Sequence, residues 1–447
     1  MLDKFYSRML EKAVLPVGDR LEGGGFLNWL TQYRREQWFC ARKLRRIQSA
    51  RLARTLRFAR ENVQFYKNIP AAPANPFEDI RQFPVMTKSA IRENLEDLLT
   101  APKERLVAES SSGSSGIQGT VYMDRSGQAS QRAMQTLWFE WSGYRFGDSI
   151  LQTGMTLDRG FIKGAKDLLL KTHYVPAFNL EPARIERLLR NLEKNPRRFL
   201  FGYASSLYVL AQTALDAGIK GVKFDCAVSW GDKLFAHYRE KIRLAFGCET
   251  LDTYGCTEGA MIAAQCRAGN YHLSVNQCYV EIVDDDAQPV PDGQAGKVLA
   301  TRLDNFAMPL VRYYLGDIAV KKLPNGEKCS CGRESPLLEK LIGRDTDIVK
   351  TRSGKQMIVH FFTAIFEHEP AIRQFKVVQK TLDEMEIHYI PNGGFGAAIT
   401  EKIEAMIYRR LEEKFPIRWI ETREIEPAKS GKPEIIQSFL KKPASFN

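Results

Sequence analysis

The chain has 447 residues, enough for two or three domains and at least one large buried core, which excludes a small disulfide-stapled fold. With 44% hydrophobic and 26% charged residues it is also excluded from the disordered and fibrous classes. Lys and Arg number 65 against 53 Asp and Glu, and the resulting +12 favours encounter with acidic partners such as nucleotides, acyl carriers or anionic surfaces.

The opening segment, Met1 to Arg20, is charged throughout and lacks the apolar stretch of a secretory signal. No apolar run reaches the roughly 18 residues of a transmembrane helix, so a cytoplasmic protein is expected. The eight cysteines (Cys40, Cys226, Cys248, Cys256, Cys266, Cys278, Cys329, Cys331) are then expected as reduced thiols or metal ligands. From Arg34 to Arg60 ten Lys/Arg face one acid, Glu36, with Leu44, Ile47, Leu52, Leu56 and Phe58 at helical intervals. This predicts a basic amphipathic helix, read either as a solvated cover on the core or as a docking face for an acidic carrier protein or membrane surface. Pro70, Pro73, Pro76 and Pro84 punctuate the following connector, and Ser110 to Gly116 is the one low-complexity stretch.

Between residue 120 and about 300, helical segments (Glu181 to Leu192, Ser205 to Ala217) alternate with short apolar runs (Arg198 to Phe201, Asp225 to Ser229), which predicts α/β architecture. Beyond Gly343 the rhythm changes. A hairpin (Asp347 to Lys350 with Gln356 to His360), a helix, a strand near Met385 to Ile390, a helix near Ile399 to Phe415 and a final strand near Arg418 to Arg423 predict a small α+β domain.

Ser110-Ser-Ser-Gly-Ser-Ser-Gly-Ile-Gln-Gly119 offers hydroxyls and unhindered N–H groups that could wrap phosphate oxygens, although a Ser/Gly stretch is equally a flexible linker. It is not a Walker loop, and the chain contains no dinucleotide-binding glycine fingerprint and no nucleophile elbow. Cys266-x5-His272 and Cys329-x-Cys331 together make a Cys3His set that suits structural Zn²⁺, with unrelated buried thiols as the alternative. Cys256 and Cys278 are expected to pack as small hydrophobes. No basic stripe interleaved with aromatics points to nucleic acid.

Four further blocks follow the Ser/Gly loop in order: Asp252-Thr-Tyr-Gly-Cys-Thr-Glu258, Arg312-Tyr-Tyr-Leu-Gly-Asp317, Gly343-Arg-Asp-Thr-Asp347 and Lys429-Ser-Gly-Lys432. The series resembles the adenylate-forming superfamily of acyl-CoA ligases, luciferases and peptide-synthetase adenylation domains, and most of all its phenylacetate–CoA ligase and CapK-like branch. The Cys/His pattern is also similar to that of some members of this branch. The resemblance implies that Ser111, Ser112, Gly113, Ser114, Ser115 and Gly116 hold the β- and γ-phosphates of ATP, although Ile117 and Gln118 stand where many relatives have Lys and Pro. It implies that Tyr254, beside Gly255, stacks on adenine, Thr257 hydrogen-bonds the α-phosphate and Glu258 ligates Mg²⁺. Asp317 would accept from both ribose hydroxyls, Arg344 would lie near the nucleotide, and Lys432 would offset the repulsion between α-phosphate and substrate carboxylate.

The expectation is therefore an α/β protein with a large N-terminal adenylation domain (residues 1–342), a hinge (343–347) and a small mobile α+β domain (348–447). ATP and a carboxylic acid would bind between the domains, giving acyl-AMP and then an acyl-CoA. Transfer to an acidic acyl carrier protein or to an amine is an alternative, as is a degenerate nucleotide-binding protein. Acid-pocket residues are expected in Trp138 to Tyr144, Gly202 to Ser206 and Ser229 to Lys233.

Overall fold

The computed structural model describes residues 2–70, 74–110, 120–154, 160–177, 182–256, 258–323, 328–344, 348–353, 355–366, 369, 371–426 and 434–440. Its strands are β1 (Val107–Ser110), β2 (Thr120–Met123), β3 (Ile150–Gly154), β4 (Thr172–Pro176), β5 (Phe199–Tyr203), β6 (Cys226–Trp230), β7 (Thr250–Gly255), β8 (Met261–Gln265), β9 (Tyr271–Leu273), β10 (Cys278–Val283), β11 (Ala295–Arg302), β12 (Tyr313–Lys321) and β13 (Leu337–Arg344). After these come β14 (Ile348–Lys350), β15 (Gln356–Ile358), β16 (Ile372–Gln379), β17 (Met385–Pro391), β18 (Ile417–Glu421) and β19 (Ile436–Ser438).

Strands β3 to β13 form one mixed sheet of eleven, ordered β10-β11-β12-β13-β9-β8-β7-β6-β5-β3-β4. From β4 to β7 every pairing is parallel, and from β7 onward every pairing is antiparallel. The parallel strands are short apolar runs, such as Phe199-Leu-Phe-Gly-Tyr203, because helices cover both of their faces. The helix Ala204–Asp216 lies on this half, burying Leu207, Leu210, Ala211 and Ala214 at helical spacing. The fold is mixed α/β, as the alternation of segments predicts.

The basic stretch departs from expectation. It forms two helices, Phe26–Glu36 and Ala41–Asn62, separated by a turn ending at Cys40, whose backbone is extended. In one unbroken helix Glu36 and Arg51 would lie about 22 Å apart. The turn folds the second helix back so that Arg51 reaches Glu36 at 2.8 Å, with Asn276 donating to the other carboxylate oxygen at 3.0 Å. The second helix buries Leu44, Leu52, Leu56 and Ala59 and leaves Arg42, Lys43, Arg45, Arg46, Arg54 and Arg57 exposed.

After β13, β14 and β15 pair as the expected hairpin, and β18-β17-β16-β19 form a four-stranded sheet. The helix Ala397–Leu411 covers it through Ile403, Ile407 and Leu411. Its core extends to Ala204 and Tyr238 on preceding helices and to Phe235, the residue before the helix Ala236–Phe246. Two of its strands differ from the sequence expectation. β16 was not anticipated, and β19 follows the strand expected to be last, pairing parallel with β16. Three residues give β19 too little length for an alternating pattern.

Candidate functional site

The site begins at the C-terminal end of β7, where the sheet changes from parallel to antiparallel pairing and the neighbouring strands diverge. At that point the register with β8 shifts between Tyr254 and Gly255. A Cβ on Gly255 would stand 2.9 Å from the Ala260 carbonyl oxygen, so glycine is required for the chain to turn so closely. The Tyr254 ring is buried, and its hydroxyl donates to Asp317 Oδ2 at 2.9 Å. Asp317 lies on β12 directly opposite Arg344 of β13. The pairing thus joins three of the sequence-selected residues, which are 90 positions apart in the chain at the extreme.

Glu258 is also buried, accepting a 2.7 Å hydrogen bond from the Tyr313 hydroxyl. Lys88 Nζ lies 3.8 Å from the same Glu258 oxygen. Sequence reasoning missed Lys88. It arrives through a parallel bridge between Met86 and Tyr313, closed by Met86 N to Arg312 O at 3.0 Å and Tyr314 N to Met86 O at 2.9 Å. Thr87 then caps the helix Lys88–Glu93, its Oγ1 accepting from Ala90 N at 3.2 Å. Nothing local in the sequence connects this helix start to a strand more than 200 residues away. Arg312, at the head of its motif, serves the framework: it is buried, pairs with Glu281 at 3.1 Å and donates to the Ala287 carbonyl at 2.8 Å.

Behind the site, Asp252 is buried against Ser229, whose hydroxyl donates at 2.6 Å, and against the Tyr271 hydroxyl. Burial pushes its carboxyl up to about 6. Asp232, in the turn after β6, accepts from Ala204 N at 2.7 Å and Ser205 N at 3.0 Å, capping the helix Ala204–Asp216. The adjacent Lys233 Nζ donates to the Ile342 carbonyl of β13 at 2.7 Å. All three segments expected to form an acid pocket converge here. Phe139 stacks on Phe201 with centroids 4.6 Å apart, and Trp230 lies 5.8 Å from Phe139 and 6.5 Å from Tyr203. Trp138 instead points into the core, 2% exposed. The expected phosphate loop (Ser111, Ser112, Gly113, Ser114, Ser115, Gly116), Thr257, the hinge residues 345–347 and Lys432 lie outside the described residues.

A second constellation gathers Cys266, His272, Cys329 and Cys331, whose donor atoms all lie within 4.8 Å of one another. Cys266 Sγ is 3.7 Å from Cys329 Sγ, and Cys331 Sγ is 3.3 Å from His272 Nε2. Two tight turns present the thiols: Gly269 N bonds Cys266 O, and Gly332 N bonds Cys329 O, each at 2.8 Å. His272 Nδ1 contacts Ser335 Oγ at 3.0 Å, which fixes the ring with Nε2 toward the thiols. Burial and the Arg333 guanidinium lower His272 to about 4, so its imidazole is neutral, as a metal ligand requires. Three thiols and one neutral imidazole at this spacing fit a tetrahedral ion such as Zn²⁺. Cys278 is buried in the main core and Cys256 packs against it, as small hydrophobes.

No protein-family model matches the chain. Among characterised proteins it is 22% identical to protein CapK of Staphylococcus aureus, over 77% of this chain and 78% of that one. It is 26% identical to phenylacetate–coenzyme A ligase of Escherichia coli, over 73% and 76% respectively. A solved 2-hydroxyisobutyryl-CoA ligase, in its postadenylation state with an acyl-AMP, shares the fold with a TM-score of 0.71 and 20% identity, covering 91% of each chain. The chain is thus similar over most of its length to phenylacetate–CoA ligases and to CapK, and it shares the fold of a solved acyl-CoA ligase. Among the described residues, no helix is long and apolar enough to cross a membrane.

Proposed function

We propose that the protein activates a carboxylic acid with ATP and transfers the acyl group to the thiol of coenzyme A. The carrying observation is the convergence of Tyr254, Asp317 and Glu258 at the parallel-to-antiparallel switch of the sheet. In the first step a carboxylate oxygen attacks the α-phosphorus of ATP, and pyrophosphate leaves with the electrons of the broken P–O bond. In the second, the sulfur of coenzyme A attacks the acyl carbonyl, AMP departs, and the thiol proton passes to solvent.

Tyr254 stacks on adenine and Asp317 accepts from the ribose hydroxyls, with Arg344 at the same strand position. Ser111 to Gly116 wrap the outer phosphates and Thr257 meets the α-phosphate. Lys432, on the small domain, neutralises the approaching anions during adenylation. Lys88 adds a second cation on the side of Glu258. Glu258, a hard oxygen donor, fits Mg²⁺, which when bound screens the phosphate charge. The partly exposed rings of Phe139, Tyr203 and Trp230 stand near the carboxyl ends of β5 and β6 and offer an apolar surface to an acyl group. Domains spanning 1–342 and 348–447 turn about 343–347 between the two steps. The Cys266, His272, Cys329 and Cys331 set holds Zn²⁺ in a structural role, and the described cysteines, all unpaired by disulfide, suit the reducing cytoplasm.

A carrier-protein thiol as the acceptor is the second reading, favoured by the exposed arginines of the helix Ala41–Asn62. ATP–pyrophosphate exchange across a panel of carboxylic acids tests the activation step. Product mass spectrometry with coenzyme A, a carrier protein and amines in parallel tests the acceptor. Absence of exchange with every acid in the panel, despite ATP binding, would overturn the enzymatic reading in favour of a nucleotide-binding protein.

A further inference from the structure

Residues 2–22 form one continuous helical rod: Leu2–Met9, a wide π turn over Leu10–Val14, and Leu15–Glu22. Tyr6 and Leu10 bind it to the body, Tyr6 through its hydroxyl to the Leu169 carbonyl at 2.7 Å and Leu10 by complete burial. A different set of residues, Phe5, Met9, Ala13, Val17 and Leu21, recurs every fourth position and is exposed. Phe5 is 70% exposed, Val17 62% and Leu21 78%. In an ideal α-helix such a stripe would drift by about 40° per step. The wider turn at Leu10–Val14 takes back part of that drift and keeps the apolar residues in one band. The adjoining helix Gly160–Leu169 adds Leu168, 82% exposed, at a point where Lys166 lies 3.6 Å from Glu22.

Charge is sorted around this band. The acids with described side chains are all engaged: Glu11 pairs with Arg34 at 2.7 Å, Asp19 accepts from Phe26 N and Leu27 N, and Glu22 pairs with Arg132 at 2.9 Å. Arg8, Lys12 and Arg20 are exposed and form no ion pair among the described residues. The rod therefore presents apolar side chains beside an uncompensated row of cations, although its sequence carries both signs.

We propose that this face docks the enzyme onto an anionic lipid bilayer, lying in the interface without crossing it. An apolar band beside a basic edge matches what such a surface offers: acyl chains below the headgroups and negative charge at their level. A second copy of the chain is a poorer occupant. Face-to-face packing would bring like rows of Arg8, Lys12 and Arg20 together while the neighbouring acids are already engaged. The inference is independent of the acyl substrate and of the acceptor.

Vesicle flotation of the full chain tests it, using phosphatidylcholine alone and phosphatidylcholine mixed with about a third phosphatidylglycerol. Binding is expected to the mixed vesicles only, and to weaken as salt is raised. Phe5→Ser with Val17→Ser should reduce the partition coefficient by tenfold or more, since two large apolar groups no longer leave water. Arg8→Ser with Lys12→Ser should reduce it by on the order of tenfold and flatten the salt dependence. Circular dichroism and melting temperature should match the native chain, because these positions are exposed. The proposal is overturned if the native chain floats with neither vesicle, or if folded variants bind as the native chain does. It is equally overturned if light scattering shows Phe5→Ser with Val17→Ser turning a dimer into a monomer while vesicle binding is unchanged.

Discussion

Replacing Asp317 with Ala removes a half-buried carboxylate that already accepts from the Tyr254 hydroxyl at 2.9 Å and has remaining lone pairs for the ribose. Hydrogen bonds to a charged group are worth about 1.5–3 kcal/mol each. Two of them to ribose would sum to more, but solvent at this half-buried position and the lone pair occupied by Tyr254 both reduce the gain. A net loss of about 2 kcal/mol is expected, or about 30-fold in Kd for ATP. Tyr254→Phe keeps the ring for stacking and deletes only the donor that orients Asp317, so it should cost about fivefold. The two residues share one contact, and a double-mutant cycle should therefore give a coupling of about 1 kcal/mol. Isothermal titration with ATP and with 2′,3′-dideoxy-ATP measures all of this. Asp317→Ala should change dideoxy-ATP binding by less than about threefold, because the lost contacts are to hydroxyls that ligand lacks. Equal losses on the two nucleotides would refute the ribose contact and leave Asp317 as a partner of Tyr254 alone, whereas strict additivity in the cycle would refute the orienting role of Tyr254.

Lys432→Ala should slow acyl-adenylate formation by about 10²-fold and leave transfer from supplied acyl-AMP nearly unchanged; equal loss in both half-reactions, timed separately by quenched flow, would contradict the assignment. Lys88→Met should slow pyrophosphate exchange by about tenfold with little change in melting temperature, since the ammonium lies 3.8 Å from Glu258 at the site. Cys331→Ser should lower the zinc content measured by elemental analysis and the melting temperature together, because metal binding energy contributes to folding; an unchanged melt with no zinc in chelator-free native protein would dismiss the metal. Asp252 titrates higher in the fold than in the unfolded chain, about 6 against 3.8, because burial disfavours its charge. Its contribution to stability is present below pH 3.8 and lost as pH rises through about 6, so denaturant melts of native protein and Asp252→Asn should diverge across that window and run parallel above it.

The alternation of segments along the chain sets the class of fold, and compact sequence blocks nominate the candidate site residues. Its alternation of helical and short apolar segments reflects parallel strands covered on both faces, a pattern that local composition carries. The helices Pro182–Lys194 and Ala204–Asp216 and the strands β5 and β6 fall within a few residues of their predicted places for that reason. Tyr254, Glu258 and Asp317 were legible because each sits in a compact block whose order is preserved along the chain. The four zinc-type donors were legible as residue types, but their approach to within 4.8 Å was not, since β9 and β13 must first pair across more than 60 residues.

Tertiary structure alone decided the rest. Lys88 joins Glu258 because Met86 bridges to Tyr313, and the break in the basic helix is what lets Arg51 fold back to Glu36. Arg312 carries the same charge as a ligand-binding arginine, yet its burial against Glu281 makes it part of the framework. The N-terminal rod reads as electrically neutral until the fold engages Glu11, Asp19 and Glu22 and leaves Arg8, Lys12 and Arg20 beside the apolar band. In each case the deciding quantity is a contact between distant segments. Local sequence fixes which groups a segment offers, whereas the pairing energy that selects among them arises only when the chain has closed.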